Sequence, residues 1–136
     1  MLFLSQLAHS NDWNQFGGPN ANFRLAPTTS LESRPIQPRR VWQRSLGAGL
    51  SPVTVADELI LVCHLDADDP LRETVTALDR GTGETIWSHS YDIKKLEKQE
   101  AFGGRNRSPQ ATPVIFQDRV ITLGFTGWVH ALERAT

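Results

Sequence analysis

The chain contains one cysteine, Cys63, so no disulfide can form within it. Its place at the end of a β-rich run marks it instead as a small buried hydrophobe. An excess of charge of one sign is lacking as well, since 14 Lys and Arg stand against 15 Asp and Glu for a formal net charge of −1. No basic cluster is interleaved with aromatics, which removes the electrostatic footprint of a nucleic-acid binder. No apolar run is long enough to cross a bilayer: Met1 to Ala8 is apolar but short, and no basic residues precede it. That segment reads either as the tail of a signal peptide or as a disordered N-terminal extension.

Sets of residues that carry chemistry are equally scarce. His64, His89 and His130 have no spacing that makes a metal set, and no Ser-His-Asp or Cys-His arrangement can be assembled. Asp66, Asp68 and Asp69 gather three carboxylates, but an EF-hand would need a Gly and a Glu where Leu71 and Ala77 stand, so they read as a solvated acidic loop. Gly47-Ala48-Gly49 is followed by Pro52 and a β-rich run rather than a helix, which leaves a turn leading into a strand rather than a phosphate loop. No catalytic, cofactor-binding or metal-binding residue is assigned.

What the chain does have is an internal repeat. Ser51 to Val62 aligns with Thr112 to Leu123 at a spacing of 61, each copy a Pro-Val start, a β-rich run, a polar pair at an Asp and a second β-rich run. Val75 to Asp79 and Val129 to Glu133 supply a third strand at a spacing of 54, with the difference expected in the loops 63–74 and 124–128. Ala77-Leu78-Asp79-Arg80-Gly81-Thr82-Gly83 then leads to Trp87, and Ala131-Leu132-Glu133-Arg134 begins the same phrase again. Gly83 is expected at positive φ, where a side chain would clash. Trp42 and Trp87, 45 residues apart, are expected to be buried at equivalent corners; four-stranded propeller blades repeat every roughly 40–45 residues.

The phrase Ala77-x-Asp79-x-x-Thr82-Gly83-x-x-x-Trp87, with the Pro-Val elements and Gly127-Trp128-Val129-His130-Ala131-Leu132, resembles the pyrroloquinoline-quinone-like repeat of eight-bladed β-propellers. Asp12-Trp13-Asn14-Gln15-Phe16-Gly17-Gly18-Pro19 is similar to the opening segment of secreted bacterial proteins of that group. The departures are Glu133 in place of Asp and no Gly-x-x-x-Trp after Thr136, as of a chain that stops inside a repeat. An antiparallel sandwich whose hairpins share Thr-Gly turns is the competing fold.

The resemblance implies an all-β fold: a partial β-propeller, about two four-stranded antiparallel blades of an eight-bladed ring, with tryptophans docked on the next blade's turn. The expected division is a residual signal segment at 1–11, opener and extended linker at 12–40, a first blade at 41–87 and an incomplete second blade at 88–136 with an insertion at 88–112. Within the insertion, Asp92 to Gly103 has the cap, apolar spacing and terminal glycine of a short amphipathic helix. Arg105 and Arg107, in the loop after it, are the candidate ligand contacts, since loops on one face of a repeat array commonly bind. The function implied is a non-catalytic scaffold or binding module, periplasmic or extracellular, whose partners are a protein or polysaccharide and further blades, with no nucleic acid, no membrane span and no bound quinone. Quinone-dependent dehydrogenases of the fold carry an adjacent cysteine pair by the same resemblance, and Cys63 is alone. Three alternatives stand beside this: the N-terminal part of a quinoprotein dehydrogenase, a sensor propeller of a signalling protein, and an outer-membrane assembly factor.

Overall fold

The computed structural model describes residues 12–24, 37–93 and 108–135. Seven strands and no helix occur among them. Thr54–Ala56 (β1), Leu59–Leu65 (β2), Arg72–Asp79 (β3) and Thr85–Asp92 (β4) pair in chain order into a four-stranded antiparallel sheet. Val114–Phe116 (β5), Arg119–Leu123 (β6) and Val129–Glu133 (β7) form a three-stranded antiparallel sheet in the same manner. Both are meanders, as short β-branched runs separated by polar pairs require.

The two sheets are copies of one unit, in a register that differs from the expected one. Asp57 and Gln117 are the first turn residues of the β1–β2 and β5–β6 hairpins, at φ 52° and 55°. They stand 60 residues apart, not 61. The shared Pro-Val misleads, because Pro52 lies one residue further from its turn than Pro113 does from its own. A one-residue slip turns every side chain to the opposite face of a sheet, so the correction decides which faces match. The extra length of the first copy is also not confined to a loop. Seven residue pairs join β2 to β3 and five join β6 to β7, so the longer hairpin absorbs most of it.

The Asp-x-x-Thr-Gly phrase works through Asp79. Its Oδ1 accepts from the Gly81 and Thr82 N–H groups at 2.9 and 2.7 Å and from the Thr82 hydroxyl at 3.0 Å. Gly83 closes the turn at φ 74°, with its N–H donating to the Asp79 carbonyl at 2.8 Å. These bonds, the Thr82 N–H foremost, hold the Asp79 carboxyl below its ordinary value.

One face of the first sheet packs on one face of the second. The core is Ala56, Leu59, Leu61 and Ala77 against Ile115 and Val120, with Trp87 and Leu132 closing over it. The edge of β2 beyond β1 is lined by the chain before β1: Ala48 accepts the Leu65 N–H at 2.8 Å, and Gly47 and Gly49 lie against the Leu65 and Cys63 carbonyls. A Cβ on Gly47 would fall 1.8 Å from the Leu65 carbonyl oxygen, so no side chain fits there. Between β2 and β4, β3 is buried from Glu73 to Leu78.

No strand occurs in 41–50, and β4 continues past Trp87 to Asp92. Asp92 is the last residue of a strand, pairing with Arg72. Ile93 donates its N–H to the Leu71 carbonyl at 2.7 Å, and Lys94 to Gly103, together with Arg105 and Arg107, lie outside the described residues. The opener is not isolated from the sheets: Trp13 exchanges both backbone hydrogen bonds with Val55, at 2.8 and 2.9 Å, and the Asn14 carbonyl accepts from Ile115 at 3.1 Å. It therefore lines the edge strands of both sheets, a role that composition alone does not signal.

Candidate functional site

The seam between the sheets concentrates the polar chemistry of the described residues at its two ends. At the turn end, the same contact is made twice. Trp42 lays its ring on Gly83 and donates its indole N–H to the Arg80 carbonyl at 2.9 Å; Trp87 donates its own to the Arg134 carbonyl at 3.0 Å. Arg80 and Arg134 occupy matching places, since their N–H groups reach the Glu58 and Asp118 carbonyls at 2.8 and 2.9 Å. Both indoles are partly buried rather than buried.

Around these corners the charges interlock. The Asp57 N–H donates to Asp12 Oδ2 at 3.0 Å, and Arg80 donates to the Asp57 carbonyl at 3.1 Å with Asp12 Oδ1 at 3.9 Å. The Arg134 guanidinium pairs with the Asp57 carboxylate and reaches the Ala56 carbonyl at 3.3 Å. One arginine thus holds the first hairpin turn from within each sheet. An open groove of about 900 Å³ lies beside this corner, lined by both hairpin turns, Ile86 and the end of β7. Along the seam, Ser51 and Thr54 donate to the Ala111 and Pro113 carbonyls at 2.9 and 2.5 Å, joining the segments that lead into β1 and β5.

The far end holds a cluster that the sequence reading did not assemble. Glu73, 1% exposed, accepts the Tyr91 hydroxyl at 2.5 Å and the Phe125 N–H at 2.9 Å, so one carboxylate ties β4 to the β6–β7 loop. Gly124 is required here, because a Cβ would lie 2.5 Å from Glu73 Oε2. Tyr91 packs tilted by 47° against His130 with ring centroids 4.1 Å apart, and His130 meets His89 edge to face at 5.4 Å. Burial first, and then the bond to Glu73, raise the Tyr91 phenol well above its ordinary value. Two of the three histidines read as solitary are therefore neighbours across the seam. His64 is separate: its Nδ1 donates to the Leu65 carbonyl at 2.7 Å, which leaves Nε2 to accept the Thr76 hydroxyl at 2.8 Å.

Half of this cluster is legible in retrospect. Counting back from the Ala77–Trp87 pair places Val75 opposite His89 and Glu73 opposite Tyr91. The approach of His130 depends on sheet packing, which no local pattern encodes. Of the motif residues, Ala77 lies in the core, Asp79, Thr82 and Gly83 form the turn, and Trp42 and Trp87 dock as described. The acidic loop is internally bonded, with Asp66 accepting from Asp68 and Asp69 and Asp69 accepting from Leu71. No helix among the described residues is long and apolar enough to cross a membrane. No family model, curated protein or solved structure matches the chain.

Proposed function

We propose that the chain is a pair of pyrroloquinoline-quinone-like repeat units, one four-stranded and one three-stranded, from a β-propeller that serves as an exported, non-catalytic scaffold or binding module. The carrying observation is the doubled tryptophan contact: Trp42 on the turn of the first sheet and Trp87 on the turn of the second, each through an indole N–H to an arginine carbonyl. A repeat that docks on its successor in the same way each time propagates into an array, since every unit buries its faces on its neighbours. The non-catalytic half of the reading rests on the lone cysteine where the dehydrogenases of the resembled family carry a pair. Export, to the periplasm or beyond the cell, rests on the resemblance of the Asp12 to Pro19 segment.

Equivalent perturbation of the two contacts tests the repeat. Trp42→Phe and Trp87→Phe should each raise backbone hydrogen exchange at the turn they dock on, 80–83 and 133–135, by similar factors. An effect at one turn without the other contradicts a repeated docking role. Addition of pyrroloquinoline quinone and Ca²⁺ should give no dye reduction above that of the free quinone, and protein-dependent reduction would move the assignment to the dehydrogenases.

A further inference from the structure

We propose that the far end of the seam is a proton-operated latch, in which protonation of the His130 imidazole, held edge to face against His89, releases the second sheet from the first. His89 is on β4 and His130 on β7, with ring centroids 5.4 Å apart and the Tyr91 ring tilted against His130 at 4.1 Å. His130 Nδ1 is buried without a hydrogen-bond partner. A neutral imidazole can leave that nitrogen as an unprotonated acceptor at modest cost. An imidazolium must carry N–H on both nitrogens, so it would bury an unmatched donor and a charge together.

The groups around the pair do not offset a positive charge at His130. From β4 come His89 and Tyr91, from β3 Glu73, and from β2 Cys63, whose thiol burial pushes up to about 11 and so keeps neutral. From the second sheet, β6 places Thr122 directly opposite His130, with its hydroxyl buried and unpartnered. Glu73 already accepts from Tyr91 and Phe125. Its charge opposes but does not cancel the cost of an imidazolium at His130, whose Nδ1 has no acceptor. Arg72 and Asp92, one pair further along the strands, are engaged with each other at 3.3 Å.

The sign follows from the same surroundings. Burial, then the neighbouring His89, hold His130 below its ordinary value of 6.5 against an opposing pull from Glu73. The unfolded or parted state therefore binds the proton first. The latch is fully closed above that ordinary value and weakens as the pH falls below it and through the lowered folded value.

Hydrogen exchange of the 136-residue chain at about pH 7.5 and about pH 5, corrected for the intrinsic rate, reads the latch on both sides of the histidine range. Protection of 124–133 should fall several-fold at the lower pH, because the parted state binds the proton more readily, while 59–79 keeps its protection. His89→Gln should weaken that response, the double variant with His130→Gln should abolish it, and His64→Gln should leave it intact. Protection of 124–133 that does not change with pH, a loss shared equally by both sheets, or a pH response that survives in the double variant would each overturn the latch.

Discussion

Gly83 carries two constraints at one atom. Its φ of 74° disfavours a side chain, and a Cβ there would lie 2.6 Å from the Trp42 ring. Gly83→Ala should therefore cost more than the roughly 1 kcal/mol of the backbone alone, about 2–3 kcal/mol once the ring is displaced. Urea midpoints should fall by that amount, with the loss reduced in a Trp42→Ala background where the clash is gone. Cys63 gives a second residue-level expectation. At 6% exposure, with a thiol pushed up to about 11, it should not react with a disulfide reagent at pH 8 until denaturant opens the fold. Rapid labelling without denaturant would place the thiol at the surface.

Strands, hairpins and the Thr-Gly turn were readable because each is written in local chemistry: β-branched runs, an Asp that accepts three turn donors, and a glycine at positive φ. Register was readable only to within one residue, since the identical Pro-Val pairs precede their turns by unequal lengths. The staple across the seam was hidden for a different reason. Thr54 in β1 donates to the Pro113 carbonyl before β5, a pairing of residues 59 apart that no spacing rule proposes. Its hydroxyl is 0% exposed in context, so Thr54→Val keeps the shape of the strand and strands the carbonyl. A loss of about 1–3 kcal/mol is expected from denaturant melts, and a variant as stable as the parent would show that the sheets are held by apolar contact alone.

At the scale of the molecule, the corrected spacing matches faces as well as strands. Ala56, Leu61, Cys63, Val75 and Ala77, on the face of the first sheet that meets the second, correspond to Phe116, Ile121, Leu123, Val129 and Ala131. In the first sheet this face is covered by its successor; in the second, Phe116, Leu123 and Val129 are 64%, 50% and 64% exposed. An apolar face so complementary to a further sheet of the same kind should find one, and in the isolated chain a second copy offers it. Light scattering coupled to size-exclusion chromatography across a concentration series tests this most directly. Concentration-dependent self-association, suppressed by Leu123→Glu with Val129→Lys, is the expected result. A monomer at every concentration that unfolds in one cooperative transition would contradict the account of two repeat units built to stack on a third.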